Sequence, residues 1–403
     1  MITKSIWLTL TLLLSYLALA QETVIYQFGA GGPNDGAEPN GGLVFDAAGN
    51  MYGTTVAGGS LGFGTAFELS PLQDGTWQEL VLYNFCSAGT ENFCADGQFP
   101  QAGVIFDTSG NLYGTTVSGG ANGLDDGVVF ELSPPSQPGG SWTEQVLWSF
   151  GGANDGAAPY GGLAMDAAGN LYGTTSGSVT AGVGVVFKLS SGQNGWTESL
   201  LHIFCLKYPD CSDGAEPKAG VTFDNAGNLY GTTVFGGQAN KIGWGVAYEL
   251  SPMASGWSET VLKVFSSVTG GRTSAGITID PAGNLYGGLS QGGPQCGGYF
   301  RLLPFEEVQL SSGCSPESDL VYSSGALFGS TGQGGTKSQG VVFKYTTKGN
   351  HVTQTILYNF CQQPNCADGS IPNGSPTLRD GQLFGATEQG GLYNLGVIYQ
   401  IAE

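Results

Sequence analysis

Five aspartates are the residues of this sequence with the clearest capacity for chemistry, because all five lie in the same short pattern. Glycine follows each aspartate directly and proline comes three residues after that glycine, at Asp35, Asp96, Asp155, Asp213 and Asp368. Aspartate carboxylates and loop carbonyl groups are the usual protein ligands of calcium. Asp-Gly is also a common turn, and no loop has the alternating acidic spacing of an EF-hand. The pattern therefore supports either structural turns or a weak calcium site, and it indicates no other cofactor.

Six aromatic residues interrupt the regular sequence pattern close to these aspartates. They are Phe63, Phe99, Tyr160, Phe235, Trp244 and Tyr393. Aromatic side chains are enriched where proteins bind partners, because one face is apolar while neighbouring groups supply hydrogen bonds. The alternative is that several of them pack beneath loops. We take the six as candidate residues for binding a sugar or a peptide.

The eight cysteines fall into four local pairs, which are Cys86 with Cys94, Cys205 with Cys211, Cys296 with Cys314, and Cys361 with Cys366. In an exported protein, an even number of clustered cysteines indicates disulfide bonds. Zinc is the alternative, but the spacings are irregular and the chain has only two histidines, His202 and His351. Disulfides on long loops would make those loops a rigid platform, which favours binding.

Catalytic machinery has little support in the sequence. Two histidines leave little basis for a Ser-His-Asp or Cys-His system, and His202 occupies a position that is tyrosine, tryptophan or lysine in other parts of the chain. A glycosidase that uses two carboxylates stays open, but nothing singles out a pair. We therefore assign no catalytic residue.

These residues are positioned by a repeat. The string Asp-x-x-Gly-Asn-(Leu/Met)-Tyr-Gly recurs with its tyrosine at Tyr52, Tyr113, Tyr172, Tyr230 and Tyr286, and two degenerate copies occupy residues 326–329 and 382–385. Each repeat contains four short segments rich in β-branched and aromatic residues, bounded by turn residues, which predicts four strands, A to D. Repeats of this size, about 40–50 residues plus enlarged loops, are typical of propeller blades. The turn aspartates Asp46, Asp107, Asp166, Asp224 and Asp280 are expected to be structural.

The two ends of the repeat array predict a closed ring. Residues 23–28 form a D strand with no A, B or C strand before it, and residues 396–401 form a C strand with no D strand after it. Joining them completes a seventh blade and removes exposed sheet edges. The sequence therefore predicts an all-β fold, a seven-bladed propeller of four-stranded blades over residues 21–403. Six or eight blades stay open, because residues 300–324 are irregular.

The copies at residues 110–116 and 127–134, Gly-Asn-Leu-Tyr-Gly-Thr-Thr and Gly-Val-Val-Phe-Glu-Leu-Ser-Pro, resemble the GloVer-type tandem repeat of exported bacterial proteins. The resemblance covers almost the whole chain after residue 20. The chain departs from the repeat pattern at Gly288 and Leu289, which replace the two threonines, and at Tyr322, which replaces the turn aspartate. The resemblance implies export and a repeat architecture, and it implies no activity.

Charge and composition limit which cellular compartments and which classes of partner are compatible with the sequence. Residues 1–20 combine Lys4, an apolar run and an Ala-Leu-Ala ending, which predicts a secretory signal peptide, with a retained membrane anchor as the alternative. The formal net charge of −20 argues against nucleic acid and anionic membranes as partners. Glycine supplies 70 of 403 residues, more than twice its ordinary share of ~7%, which argues against helical bundles. We expect a secreted or periplasmic monomer.

Three functions agree with these observations. The first is a non-enzymatic propeller that binds a glycan, a peptide or a cell-surface partner at its disulfide-linked loop rim. The second is an extracellular hydrolase or lyase that acts on polysaccharide with rim carboxylates. The third is a purely structural role in the cell envelope. Regular repeats favour the first, because an enzyme site usually distorts one blade around unique polar residues, and fold alone does not decide function.

Overall fold

A computed structural model of the chain describes residues 22–90, 93–121, 125–137, 139–152, 155–179, 182–238, 243–292, 297–302, 307–310, 316, 318–348 and 351–403. The predicted signal peptide lies outside these residues. No helix in the described part of the chain is long and apolar enough to cross a membrane.

The strands form seven antiparallel four-stranded sheets, one for each predicted blade, within the described residues. The chain begins with β1 (Glu22–Gln27). Blade 1 contains β2 (Gly36–Phe45), β3 (Met51–Gly58), β4 (Thr65–Pro71) and β5 (Trp77–Asn84). The small hairpin of β6 (Gly89–Thr90) and β7 (Phe93–Cys94) follows. Blade 2 contains β8 (Ile105–Phe106), β9 (Leu112–Thr116), β10 (Val128–Ser133) and β11 (Thr143–Ser149).

The next three blades repeat this order. Blade 3 contains β12 (Ala164–Met165), β13 (Leu171–Val179), β14 (Gly182–Gly192) and β15 (Gly195–Ile203). Blade 4 contains β16 (Thr222–Phe223), β17 (Leu229–Thr232), β18 (Val246–Met253) and β19 (Gly256–Val264). Blade 5 contains β20 (Thr278–Ile279), β21 (Leu285–Leu289), β22 (Gly298–Leu302) and β23 (Glu307–Leu310).

The last two blades close the ring. Blade 6 contains β24 (Val321–Ser323), β25 (Ala326–Thr331), β26 (Val341–Lys348) and β27 (His351–Asn359). A short 3-10 helix (Pro364–Cys366) precedes blade 7, which contains β28 (Thr377–Arg379), β29 (Gln382–Thr387) and β30 (Val397–Ala402). Strand β1 pairs with β30 as the fourth strand of blade 7. The predicted seven-bladed propeller, closed by its N-terminal strand, is confirmed.

The glycine of the Tyr-Gly motif makes room for the core of each blade. A Cβ atom added to Gly53 would lie 2.7 Å from the ring of Phe67, which is fully buried in strand C of the same blade. Glycine faces a strand-C aromatic ring in the same way in the other six blades. The hydrophobic core itself lies between neighbouring blades, as where Tyr52 and Phe85 of blade 1 pack with Phe130 of blade 2. The repeat motif therefore fixes both blade packing and blade spacing.

The turn aspartates are structural, as predicted. Asp107 accepts hydrogen bonds from the backbone amide groups of Ser109 and Asn111, from the Asn111 side chain and from the hydroxyl of Tyr113. Burial alone would raise the pKa of Asp107, but these hydrogen bonds outweigh it and the pKa lies below its ordinary value. The Asp-x-x-Gly-Asn-Leu-Tyr string is therefore one closed hydrogen-bonded turn.

Candidate functional site

The inner strands of the blades surround a central channel whose upper end is an open cavity of about 420 Å³. The connections from strand D of one blade to strand A of the next run across the upper face toward this cavity, beside the B–C loops. Backbone pairing joins the two kinds of loop, for example Gln98 with Ser118 and Ala215 with Phe235. The described D–A connections therefore converge on the channel.

Six D–A connections in the described part of the chain each deliver one side chain to this cavity, at the position that follows the proline of the Asp-Gly-x-x-Pro pattern. In blade 5, threonine replaces the proline. We call this set the channel mouth, and its members are Asn40, Gln101, Tyr160, Lys218, Ser274 and Asn373. The equivalent position of blade 6 lies outside the described residues. The residues on either side of this position repeat closely, whereas the mouth residues vary: they are amides in blades 7, 1 and 2, a tyrosine in blade 3, a lysine in blade 4 and a serine in blade 5.

A left-handed residue two positions earlier directs each mouth residue toward the axis. In blade 1 this residue is Glu38, with φ 57°, and its amide group donates to the carbonyl oxygen of Leu395 in the preceding blade at 2.9 Å. In blade 2, Phe99 has φ 58° and donates to Phe63 at 2.9 Å. Ala158, Glu216, Arg272 and Ile371 repeat this geometry. Non-glycine residues rarely adopt this conformation, and such strain clusters at functional sites.

Below the channel mouth, glycine backbones from neighbouring blades touch each other. A Cβ atom at Gly41, where φ is 84°, would lie 2.2 Å from the backbone nitrogen of Gly103. The hydroxyl of Thr54, in strand B, also binds the carbonyl oxygen of Ala102 in the next blade at 2.8 Å. Thr115, Thr174, Thr232 and Ser330 make the equivalent bond. The inner ring is therefore held at close backbone contact, which fixes the channel width.

Two side chains project where the other blades have glycine. Asp319 in blade 6 and Ser375 in blade 7 align with Gly42 of blade 1. Both line the channel mouth cavity and also a second cavity of about 1070 Å³ at the opposite end of the channel. Asp319 and Ser375 thus mark the narrow part of the channel, where the two cavities meet.

Direct contacts preorganise the channel mouth. The Asn40 side chain donates to the Gln101 side chain at 3.0 Å, across the gap between blades 1 and 2. The ammonium group of Lys218 lies 4.9 Å from the centre of the Tyr160 ring. Asn373 donates to the carboxylate of Glu388. One arc of the mouth therefore presents amides, from blades 7, 1 and 2, and the neighbouring arc presents an aromatic ring with a cation, from blades 3 and 4.

Asp319 supplies a carboxylate to the channel. Its side chain is exposed to the channel, and the protein atoms around it desolvate the carboxyl group, which raises its pKa. The backbone amide group of Gly276 donates to its Oδ1 atom and partly offsets the effect. Of the described residues that line the mouth cavity, Lys218 is the one cation and Asp319 the one carboxylate. The channel therefore contains one separated pair of opposite charges.

Sequence comparison now identifies the family. The model of the Gloeobacter/Verrucomicrobia repeat matches residues 15–208 and again residues 197–399. The chain belongs to this family. The resemblance on the Tyr-Gly and Phe-Glu-Leu-Ser-Pro strings is confirmed, and the two matched regions together span the propeller. No curated protein matches the chain significantly.

Solved structures show the same fold at low sequence identity. The extracellular domain of a hybrid two-component system from B. thetaiotaomicron is 13% identical with a TM-score of 0.54, and the match covers 96% of this chain but 43% of that one. The polysaccharide lyase Uly1 is 12% identical with a TM-score of 0.53, covering 92% of this chain and 91% of that one. An ulvan lyase of polysaccharide lyase family PL25 is 11% identical with a TM-score of 0.51, covering 95% and 96%. At these identities the likeness shows the fold.

The six aromatic candidates do not form one surface. Phe63 and Phe99 pack edge to face, with ring centres 5.6 Å apart. Phe235 and Trp244 lie on either side of the Arg272 guanidinium group, each ring centre 5.1 Å from it. Of the six, Tyr160 lines the channel mouth, and Tyr393 is 54% exposed on the B–C loop of blade 7. One of the predicted ligand-binding residues therefore lies in the candidate site.

The five loop aspartates lie in five separate D–A connections and accept hydrogen bonds within their own loops. Asp96 accepts from the hydroxyl of Tyr83 at 2.6 Å and from the backbone amide groups of Ser87 and Ala88. Asp35, Asp155, Asp213 and Asp368 also accept from backbone amide groups. In the described part of the chain, no three acidic, histidine or cysteine side chains converge as a metal site. This geometry favours the structural interpretation of the aspartates.

Three of the predicted disulfides are present in D–A connections, Cys86–Cys94, Cys205–Cys211 and Cys361–Cys366. Cys296 and Cys314 lie outside the described residues. His202 faces Asp213, with its Nε2 atom 3.2 Å from Oδ2, and replaces the tyrosine that binds the loop aspartate in blades 1, 2 and 7. The interpretation of His202 as a variant of a repeat position agrees with this contact.

Sequence reasoning missed five of the six described mouth residues, Asn40, Gln101, Lys218, Ser274 and Asn373, and it also missed Asp319. A signal was present in the sequence, because aligning the repeats shows that the position directly after the proline varies between blades whose neighbouring residues repeat. Repeat architecture imposes the same residue at structural positions in every blade. A position that varies between blades despite this constraint, and that lies at a shared cavity, is a candidate for ligand recognition.

Proposed function

We propose that this protein is exported and binds a glycan at the channel mouth without catalysis. The observation that carries the proposal is the convergence of one polar side chain from each described D–A connection on one cavity, with amides on one arc and a tyrosine and a lysine on the next. Amides, hydroxyls and an aromatic ring match a sugar, because its hydroxyl groups need hydrogen-bond partners and its ring carbons need an apolar face.

Rigidity supports binding at this place. The left-handed residues, the threonine bonds between blades and the three described disulfides all restrain the loops that end at the mouth. A preorganised site loses little conformational entropy when it binds a ligand. The disulfides also fit an oxidising compartment, in agreement with export. Two of the proteins with the same fold are named polysaccharide lyases, which supports a carbohydrate ligand without defining it.

A glycan array followed by calorimetry tests the proposal. The chain should retain particular oligosaccharides unchanged, and Gln101→Ala should weaken that binding at least about tenfold, since it removes a hydrogen-bonding side chain and leaves Asn40 without its partner. Gln73→Ala, in the exposed turn between β4 and β5, is the matched control and should bind as the unmodified protein does. Retention that is unchanged in Gln101→Ala would place the ligand elsewhere and refute the proposal.

The second candidate is a polysaccharide lyase, and the contact between Lys218 and Tyr160 favours it. In a β-elimination, a base removes the proton next to a uronate carboxylate, the neighbouring C–O bond breaks, a C=C bond forms, and the leaving oxygen takes up a proton. Lys218 would neutralise the carboxylate, and the hydroxyl of Tyr160 or the Asp319 carboxylate would carry the protons. Ultraviolet absorbance of the unsaturated product tests this directly. Turnover that disappears in Tyr160→Phe would favour the lyase over the binding protein.

A further inference from the structure

Lys218 gives the channel mouth a defined polarity. Its ammonium group contacts the Tyr160 ring, and no carboxylate among the described residues lies within ion-pair distance of it. The other described side chains of the mouth are amides, hydroxyls and the deeper Asp319. Among the described residues no carboxylate pairs with this lysine, and in a chain with a formal charge of −20 it is a local positive charge in a negative field.

We infer that the glycan bound at the channel mouth is acidic, with its carboxylate or sulfate group on Lys218 and its hydroxyl groups on the amides of Asn40, Gln101 and Asn373. This inference rests on the proposed function. It specifies the class of sugar and its orientation, since the cation and the amides lie on different arcs of the same mouth.

Three features argue for this orientation. The Tyr160 ring lies beside Lys218, so one sugar unit can stack on the ring while its acidic group reaches the ammonium. The Asn40 and Gln101 side chains line the mouth cavity and already hydrogen-bond to each other, which preorganises the two amides for a ligand. Asp319 lies in the narrow part of the channel and repels an anion, which keeps the acidic group away from blade 6 and beside blade 4.

Calorimetry with three oligosaccharides of equal length tests the inference. One consists of uronate units, the second is the same compound with its carboxyl groups reduced to alcohols, and the third is the reduced compound carrying sulfate esters. At least one acidic compound should bind about tenfold or more tightly than the neutral one, since a charge-assisted hydrogen bond is about twice as strong as a neutral one. Preference for the uronate or for the sulfate ester identifies the acidic group.

Variants separate this inference from the proposed function. Lys218→Met should lose at least about tenfold in affinity for the acidic compound and little for the neutral one, and Lys218→Arg should retain the preference. Asp319→Asn should bind the acidic compound as tightly as, or more tightly than, the unmodified protein. Equal binding of the neutral and acidic compounds would overturn the acidic class and leave glycan binding intact. No binding of any compound by a chain that melts normally would overturn both.

Discussion

Glu79 and Asp35 form a buried pair of carboxyl groups between blades 7 and 1. Glu79 Oε1 and Asp35 Oδ1 are both buried, and neither accepts a hydrogen bond from a donor among the described residues. Asp35 Oδ2 is already bound by the hydroxyl of Tyr26 and by the amide group of Gly29. Burial raises the pKa of Glu79 to about 8, and the charge of Asp35 and a hydrogen bond to it add to the effect. A single proton shared by Glu79 and Asp35 would give both of these buried oxygen atoms a hydrogen bond.

The pair recurs wherever the D–A connection contains its aspartate. Glu144 faces Asp96, Glu198 faces Asp155, Glu259 faces Asp213, and Glu22 faces Asp368. Burial is the largest cause in each, and it raises the pKa of Glu198 and of Glu22 to about 8 and that of Glu144 to about 7. Blade 6 is entered without this aspartate, and Gln354 takes the glutamate position there, opposite Tyr345. The two carboxyl groups therefore behave as one structural unit.

These pairs predict that stability decreases as the pH rises from about 4.5 to about 8. The pKa of each glutamate is higher in the folded chain than its ordinary value of 4.5, so the folded chain binds protons more tightly across that window. The stabilising contribution is complete below pH 4.5 and is lost as the pH rises through 8. We expect the Tm in calorimetry to be several degrees lower at pH 8.5 than at pH 5.5.

Glu79→Gln separates this effect from other titrations. The amide keeps a hydrogen-bond donor for Asp35 without a titrating group, and blade 6 already has a glutamine, Gln354, at the equivalent strand position. The variant should lose less stability between pH 5.5 and 8.5 than the unmodified chain does. An exposed change in the same strand, Gln78→Glu, is the control and should leave the pH profile as it is. Identical profiles for Glu79→Gln and the unmodified chain would contradict the shared proton.

Gly53→Ala should destabilise the fold by about 1–3 kcal/mol, the usual cost of overpacking a core. The new methyl group would lie 2.7 Å from the ring of Phe67, which is fully buried. Gly192→Ala is the matched control, because its Cβ atom would lie 3.5 Å from the nearest atom, an ordinary contact. Urea denaturation measures both. Equal midpoints for the two variants would show that the Tyr-Gly motif does not depend on this packing.

Thr54→Val should cost about 1 kcal/mol, the typical net value of one hydrogen bond, or more, because the Ala102 carbonyl oxygen would lose its buried partner. Thr54→Ser keeps the hydroxyl and should retain most of the stability. Hydrogen exchange at the backbone amide groups around residues 102–104 should rise in the valine variant alone. A serine variant as unstable as the valine variant would mean that the methyl group, rather than the bond between blades, matters here.

How far the sequence predicts this molecule depends on how local each feature is. The Tyr-Gly and Asp-x-x-Gly-Asn strings contain their own partners within one blade, so strands, turns and ring closure follow from the repeat. The mouth residues depend on the path of the D–A connections, and that path is set by bonds to other blades, such as that of Glu38 to Leu395. Arg272 shows the same limit, since it lies between Phe235 and Trp244, two of the residues that the sequence marks as candidates for ligand binding.

Removal of divalent cations should leave the stability unchanged. The carboxylates of Asp35, Asp96 and Asp368 already accept hydrogen bonds from tyrosine hydroxyl and backbone amide groups. Melting curves with a chelator, and again with millimolar calcium, test this expectation. A Tm that falls with chelator and recovers with calcium would instead support calcium binding by the D–A connections.

Gly162→Leu should block the channel mouth without unfolding the propeller. A Cβ atom at Gly162 would lie 3.8 Å from the Ala102 side chain, and the cavity beyond has a volume of about 420 Å³, so a leucine fits while it occupies the space proposed for the sugar. Gly161→Ala is the contrasting variant, because its methyl group would lie 2.4 Å from the backbone nitrogen of Gly220 and should force neighbouring blades apart. We expect Gly162→Leu to keep a normal Tm and lose glycan binding, whereas Gly161→Ala should lower the Tm. Unchanged glycan binding by a folded Gly162→Leu chain would exclude the channel as the binding site.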